Sequence, residues 1–575
     1  MRHAITLYLR SGWPVFVLAG LTVFVVSPYG EFPLNDDWVY WKMVNGLVNE
    51  GQLAVHPYSS AYAATQSLIV APLALLFGLS FTLLRVTTLV AALGVLLATI
   101  WCGRLVGLSR NRATLAALIV LINPIFINMS YSFMTEIPFL ALSMLSMAFY
   151  LKAIRKPGPG LIALGTAFAV LAFLNRQYGL LITLAFFITI VVYKRTANPH
   201  AGLRNAFAVA HPWIICVPCA YYLAMTSQTD LIYYAVAKGD WSVYLLPHRV
   251  ATVIAKSILY CGLFLLPVTL PLLASMLTGR LRWARAQWGV FAIVGGALLI
   301  YTLTSGGRLP NLHNIIRDCG LGPLLLHPEN DAPNWTPVEL GGIVWWPVTL
   351  LSVLSSAVLG GLAVGFPQKA RSFASGPLRV RYCQRLFLFC AGALMILVPA
   401  NGIQPVYHDR YILPAIPMLA ILAVGALPFR SAGWLGTAAG AAPALALYVF
   451  SIFGQQDYMA WNDARWRAID LLRTKHAMAN EFIDGGYEFH GLHSRKWALT
   501  ANQATNRETK EDRRFVARER VCLVAMRSRK SFQPVLTVPY FSWLGFKTRD
   551  IVVLRPGAVS PPESRFHLES IRDNE

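Results

Sequence analysis

Thirteen apolar stretches, most of them about the 20 residues needed to cross a hydrocarbon core, decide what this chain can fold into. They run 13–29, 84–102, 113–131, 134–151, 161–175, 178–193, 206–224, 252–276, 287–304, 346–366, 385–400, 411–428 and 433–453. Lipid offers no partner to a backbone N–H or C=O, so each stretch is predicted to be a helix that satisfies its own backbone. Only 13% of the residues are charged, against about a quarter in an ordinary soluble chain, and the mean hydropathy is +0.52. A soluble fold is excluded. No repeat of 20–50 residues is visible, which excludes solenoids and propellers.

The formal net charge of +22 invites a nucleic-acid function, but the basic residues are not gathered into one patch. They fill alternate short loops: Arg104, Arg110 and Arg112; Lys152, Arg155 and Lys156; Lys194, Arg195 and Arg204; Arg280, Arg282 and Arg285; Lys369, Arg371, Arg379, Arg381 and Arg385. The intervening loops are poor in Lys and Arg, as the positive-inside rule requires of the outer side. The N-terminus is therefore expected in the cytoplasm of a multi-pass inner-membrane protein. Its first span is expected to be retained, since no small-residue cleavage site precedes the loop that follows. An odd number of spans sends the C-terminus outside.

Two parts are expected. Residues 1–453 form the membrane domain, with outer loops at 30–83, 225–250 and 305–345; residues 454–575 form a small extracytoplasmic α/β domain. Within the first loop, 37–49 places Trp38, Trp41, Val44 and Val48 at helical spacing, which suits a helix lying in the interface. A second membrane-skirting piece, 67–79, is expected to break at Pro72 and Gly78. In the C-terminal part, 461–478 reads as a helix, and 520–526, 535–540 and 551–554 read as strands. The stretch 500–520 is polar and basic and reads as a loop. The eight cysteines lie mostly in apolar runs. The pair Cys216 and Cys219 has redox spacing, but packing is the simpler account inside a hydrophobic helix.

Four clusters of polar residues fall on the outer side by this count. Asn35-Asp36-Asp37-Trp38 brings two adjacent carboxylates to the membrane surface, where they either cap a helix or act on a substrate as general base. Glu136, in Thr135-Glu136-Ile137-Pro138, is either a first-turn acid or a second catalytic carboxylate. Arg176, in Asn175-Arg176-Gln177-Tyr178, either snorkels to the interface or neutralises an anion. In Tyr407-His408-Asp409-Arg410-Tyr411, Asp409 either pairs with Arg410 or His408, or leaves Arg410 to an anion. Two acidic and two basic clusters on one face suit a phosphate-linked substrate. Arginine grips phosphate with a rigid fork, and a carboxylate accepts the proton of an attacking hydroxyl. A single displacement at a sugar's anomeric carbon would invert its configuration. The candidate site is Asp36, Asp37 and Glu136 for catalysis; Arg410, Arg176, His408 and Tyr407 for donor phosphate; His56, Tyr58 and Gln177 near the acceptor and donor sugar. No cofactor is called for. Asp36, Asp37 and Glu136 together are the one set that would hold a divalent metal such as Mg²⁺, which is not favoured.

At these residues the chain resembles the GT-C integral membrane glycosyltransferases. The likeness is to family 39, which includes protein O-mannosyltransferases and the bacterial enzymes that add aminoarabinose to lipid A. The likeness rests on Asp36-Asp37, Thr135-Glu136-Ile137-Pro138, Arg176-Gln177-Tyr178-Gly179 and Asp409-Arg410-Tyr411-Ile412-Leu413-Pro414. It implies a polytopic α-helical membrane fold, a polyprenyl-phosphate sugar donor, a lipid, glycan or protein acceptor, and the first-loop acid as base. Where the family often has Asp-Glu, this chain has Asp-Asp. Its tail, including 457–462 and 483–489, departs from the aminoarabinose enzymes. The rival classes are a multi-span transporter, which favours internal repeats and midplane sites, and a non-catalytic lipid-binding protein. The orientation is directly testable: an alkaline phosphatase fused after Asn480 should be active and a cytoplasmic fluorescent reporter there dark, and the reverse pattern would overturn the span count.

Overall fold

A computed structural model of the chain describes residues 2–56, 58–59, 61–193, 199–226, 247–312, 314–324, 326, 340–370, 377–399, 407–427, 433–493, 522–528 and 532–556. They fall into two compact units. The first comprises 1–323, 336–459 and 543–545, and the second 324–335, 460–542 and 546–575. The expected loop at 500–520 and most of the outer loop at 225–250 lie outside the described residues.

The first unit is helical. In chain order it holds α1 (Arg2–Val25), α2 (Asp37–Glu50), α3 (Ala64–Phe77), α4 (Phe81–Leu105), α5 (Arg110–Leu121), α6 (Pro124–Ser130), α7 (Glu136–Arg155) and α8 (Pro159–Phe173). Then follow α9 (Leu180–Tyr193), α10 (Pro199–Thr226), α11 (Pro247–Leu277), α12 (Arg285–Thr304), a two-residue hairpin of β1 (Ile316–Arg317) and β2 (Gly320–Leu321), α13 (Gly342–Ala370), α14 (Pro377–Val398), α15 (Ile416–Ala426) and α16 (Gly433–Thr474). Every one of the thirteen expected segments falls on a helix or helix pair. Eight helices among the described residues are long and apolar enough to cross a membrane alone, and nine if α5 and α6 make one bent span. The chain is a multi-pass helical membrane protein.

The helix starts follow from local chemistry. The Ser80 hydroxyl accepts from Leu83 N–H at 3.1 Å, and the Asn123 carboxamide accepts from Ile125 and Phe126 at 2.9 and 3.2 Å. Asn123 followed by Pro124 also accounts for the 70° bend between α5 and α6, because the Asn123 side chain takes the Ile125 and Phe126 amides and Pro124 has no N–H, so α6 starts as a new helix. That bend delivers the chain to 131–135, from which α7 begins at Glu136.

Two expected breaks are absent. The helix α3 runs unbroken through Pro72 and ends only at Gly78. The helix α16 continues through Gly454 for 42 residues, joining the last apolar segment to the polar helix expected at 461–478. Cys216 is buried against Phe173 and Ala220, Cys219 is exposed, and neither is bonded to the other.

The second unit contains the C-terminal part of α16, α17 (Tyr487–His493) and a sheet of β3 (Ile483–Asp484), β4 (Cys522–Ala525), β5 (Phe532–Ser542) and β6 (Lys547–Pro556). The strand order is β3-β4-β6-β5. Pro534 and Pro539 sit in β5, at the sheet edge, where a missing N–H breaks no ladder. Leu523, Ala525, Val552 and Leu554 form its core with Phe532. The fully buried Arg465 donates to the Gly485 carbonyl and pairs with Glu488 at 2.9 Å.

Inside the membrane domain the helices α11 and α13 meet along a seam of small polar residues. Thr269 and Ser355 hydroxyls lie 2.6 Å apart, Ser355 donates to the Gly262 carbonyl at 2.7 Å, and Ser356 donates to the Ile258 carbonyl at 2.9 Å. A Cβ on Gly262 would collide with Ser356 and the Ser352 carbonyl. Gly262→Ala should therefore lower the unfolding temperature in detergent, the overpacking costing about 1–3 kcal/mol. Gly289→Ala in α12, where a Cβ meets nothing within 4 Å, should leave it unchanged; equal behaviour of the two variants would refute the seam.

Candidate functional site

The four clusters separated by up to 374 positions in the sequence converge. At their centre is Glu136, the first residue of α7, which is 2% exposed. Its Oε1 lies 2.5 Å from Arg176 Nη1 and 3.3 Å from Arg410 Nε. Arg410 Nη2 in turn lies 3.9 Å from Asp36 Oδ2. Two guanidiniums thus share one buried carboxylate, and a second carboxylate stands at the rim, its side chain 26% exposed.

Each charge is placed by the backbone beneath it. Asn175 is the hub for Arg176. Its carboxamide oxygen accepts from Gln66 N–H at 3.2 Å, and its Nδ2 donates to the Thr135 carbonyl at 3.0 Å and to Gln66 Oε1 at 3.3 Å. This ties the starts of α3 and α7 to the turn after α8. Gly179 closes that turn: a Cβ there would strike the backbone of Ala169 and Phe173, so no other residue lets the turn press so closely onto α8. Arg176 also donates to the Thr135 hydroxyl at 3.1 Å and lies over the rings of Tyr178 and Tyr411, 5.7 and 5.6 Å from their centroids. Arg410 is the second residue of a 3-10 turn, Asp409–Ala415, that leads into α15.

The two adjacent aspartates have different surroundings. Asp36 occupies the N-cap position of α2, yet its side chain makes no capping hydrogen bond, and it faces Arg410 instead. Asp37 is 1% exposed. It accepts from Leu34 N–H at 3.3 Å. Burial pushes its carboxyl well above the ordinary range, a rise that the charge on Arg85 opposes. Arg85 is itself fully buried. It donates to the carbonyls of Pro28 (3.2 Å), Gly30 (2.5 Å) and Phe32, and its guanidinium lies 4.6 Å from the centre of the Phe32 ring. One carboxylate holds the loop; the other looks into the site.

The remaining predicted residues surround this centre. Tyr407 accepts from the Ser257 hydroxyl at 3.0 Å and packs on Tyr411, with centroids 5.7 Å apart. His408 packs on Tyr411 at 5.5 Å. Burial and the charge of Arg410 push the His408 imidazole down to about 3, so it is neutral at neutral pH. Asp409 pairs with neither neighbour as its sequence suggested: its carboxylate accepts from the Ile315 and Ile316 amides. His56 and Tyr58 gather about Trp38, at centroid distances of 5.3 and 5.7 Å. Burial, aided by Lys42, pushes His56 down to about 4. Gln177 begins the 3-10 turn after Arg176. Sequence reasoning missed Arg85, although a cation near the start of an apolar helix calls for a partner. It also missed Gln66 and the buried Tyr40, one helical turn beyond Asp36. Asp36, Asp37 and Glu136 do not assemble into one metal-holding group, and among the described residues no set of three or more His, Cys, Asp or Glu does.

No family model matches the chain. No curated protein matches it either. Among solved structures it is similar to ArnT from Cupriavidus metallidurans in the apo state, with 13% identity over 96% of this chain and 100% of that one, at a TM-score of 0.39. The same protein bound to undecaprenyl phosphate gives 14% identity, the same coverage and a TM-score of 0.38. An oligosaccharyltransferase from Archaeoglobus fulgidus, tethered to an acceptor peptide, shows 14% identity over 81% of this chain and 57% of that one, at a TM-score of 0.42. Likenesses this distant carry no weight against the geometry above.

The depressed pKa of His408 has a consequence for stability. An unfolded histidine titrates near 6.5, so between about pH 6.5 and 3 the unfolded chain binds more protons than the folded one. Stability present above that window is lost as pH falls through it. His408→Gln should therefore lose less unfolding temperature than the parent between pH 7 and about pH 4.5, read by thermal denaturation in detergent. Parallel curves would mean that His408 titrates normally.

Proposed function

We propose that the chain is an inverting glycosyltransferase of the GT-C kind, moving a sugar from a polyprenyl-phosphate donor to an acceptor at the outer face of the membrane. The observation that carries it is Asp36: a carboxylate at a helix N-cap that is not used as a cap and stands 3.9 Å from a buried arginine. Capping alone would have turned its oxygen onto the α2 amides.

In this mechanism Arg410 and Arg176 hold the donor phosphate. The acceptor hydroxyl attacks the anomeric carbon as the bond from that carbon to the phosphate oxygen breaks. Its proton passes to Asp36, and the leaving phosphate gains a negative charge that the two guanidiniums stabilise. Glu136 is a poor base, because protonating it would undo its ion pairs with both arginines. Its part is to hold them side by side despite their mutual repulsion. His408, neutral, offers a hydrogen bond rather than a charge. Asp37 stabilises the loop by accepting from the Leu34 amide. The tyrosine rings beside the arginines and the His56–Trp38–Tyr58 cluster supply flat faces on which sugar rings stack. The polyprenyl tail remains in lipid, and the acceptor is a lipid, glycan or protein hydroxyl. Inner-membrane location, with the N-terminus in the cytoplasm and the C-terminal unit outside, rests on the alternation of basic loops.

Asp36→Asn separates base from cap, since asparagine caps as well as aspartate but accepts no proton. The variant should express, insert and unfold as the parent does, with turnover down about 10²–10⁴-fold. In Arg410→Ala, donor use should weaken roughly ten- to a hundredfold, corresponding to about 1.5–3 kcal/mol for a hydrogen bond to a charged group. Arg410→Lys should recover only part of it. Radiolabelled transfer from lipid-linked sugar in membranes measures both, and near-normal turnover in Asp36→Asn would remove it from the mechanism.

A further inference from the structure

Arg410 stands next to a residue that reaches away from the site. Asp409, fully buried, accepts from Ile315 N–H at 3.1 and 3.0 Å through its two oxygens and from Ile316 N–H at 2.8 Å. A buried carboxylate is costly unless such donors surround it, so the 3-10 turn carrying Arg410 and the segment 305–322 hold each other in place. That segment has further anchors in the bundle. Tyr260 accepts from the Asn311 and Leu312 amides at 3.2 and 3.3 Å, Lys256 donates to the Asn311 carbonyl at 3.1 Å, and Leu309 N–H donates to the Thr349 hydroxyl at 3.0 Å.

The opposite side of the segment is braced as well. Its hairpin pairs Ile316 with Leu321 and Arg317 with Gly320. Gly322, at φ +84°, lies flat against the Tyr458 ring, and a Cβ on Gly454 would come within 2.8 Å of the Leu321 side chain. A Cβ on Gly320, at φ +126°, would come within 2.8 Å of Leu544. Leu544 is held there by α16: Asp457 accepts from the Trp543 amide at 2.6 Å and the Leu544 amide at 3.2 Å, and Phe453 meets the Trp543 ring edge-on at 5.3 Å. Phe453, Gly454, Asp457 and Tyr458 form one stripe of α16, at positions i, i+1, i+4 and i+5.

We propose that Asp409 and Asp457 are positioning residues for Arg410. The hairpin 315–322 is a strut between them: Asp409 fastens it to the turn that carries the arginine, and Asp457, through Trp543 and Leu544, backs it from the other side. Neither carboxylate touches substrate. Their loss loosens the placement of Arg410 and so weakens the grip on phosphate, leaving the base Asp36 unaltered. This assignment rests on Arg410 being the phosphate-binding cation. A displacement of about 1 Å in a positioning group can cost up to 10²-fold, so an effect between about ten- and a hundredfold is expected.

The test uses the purified full chain in detergent, with undecaprenyl phosphate as the binding probe and hydrogen–deuterium exchange as a readout that needs no ligand. In Asp457→Ala and Leu544→Ala, exchange at Ile315, Ile316 and Tyr411 should quicken and probe affinity should fall by about ten- to a hundredfold. Leu544→Met should keep both near the parent values, whereas in the two alanine variants the donor KM should rise with little change in kcat. Arg410→Ala is the contrasting case, losing the probe with exchange at Ile315 and Ile316 unchanged. Unaltered exchange at Tyr411 in Asp457→Ala and Leu544→Ala overturns the strut, and so does quickened exchange with undiminished affinity. If the parent does not bind the probe at all, the phosphate role of Arg410 fails, while exchange at Tyr411 still decides whether the strut reaches the site.

Discussion

Two positive charges buried side by side repel each other, and the membrane domain is arranged around the one carboxylate that makes this tolerable. Glu136 lies within 3.3 Å of both Arg176 and Arg410. Taking such charges out of water costs several kcal/mol per ion unless geometry and hydrogen bonding repay it. The repayment is visible in the neighbouring residues. Thr135 presents its hydroxyl to Arg176 rather than to its own helix, Asn175 ties the backbone at Gln66 and at Thr135 to its own turn, and tyrosine rings cover the guanidiniums. Remove the glutamate and the arginines have no reason to face one another. The charge tally within 4 Å is even, two cations against Glu136 and Asp36, so both guanidiniums are fixed in place.

The same economy explains why adjacent aspartates part company. Neighbouring residues at a helix start point about 100° apart, so Asp36 and Asp37 cannot share a partner. Arg85 holds the carbonyls of Pro28, Gly30 and Phe32 on the side where Asp37 is buried. That fixes the loop preceding α2, and with it the direction in which Asp36 points. A buried arginine under the loop, donating to three backbone carbonyls, thereby sets the aim of the rim carboxylate.

Much of this was legible in the sequence because the bilayer imposes a length and an apolar composition on every crossing segment. All thirteen segments fall on helices for that reason, and the strands at 522–525, 532–542 and 547–556 follow the β-branched and aromatic runs that predicted them. The polar clusters were legible as well, since charges next to apolar helices have few places to go. What stayed hidden was orientation. Asp409 looked like a partner for Arg410 or His408, but its acceptors face amides ninety-odd positions away, which no local pattern encodes. The change from apolar to polar residues at 454 marked a boundary, but α16 runs through it, and Gly454 is the gap that admits Leu321. Pro72 looked like a break, yet α3 continues past it. Arg85 was overlooked because its partners are mostly backbone carbonyls, and carbonyls carry no sequence signature.

The unused cap at the start of α2 has a further consequence. A helix whose N-cap side chain is turned elsewhere forgoes about 0.5–2 kcal/mol of local stability, and here the residue concerned is Asp36. Capping α2 and facing Arg410 therefore pull on one side chain in opposite directions. Because aspartate is already among the best capping residues, the stability forgone at position 36 cannot be recovered by exchanging one cap for another; only turning the side chain away from Arg410 and back onto the α2 amides would recover it.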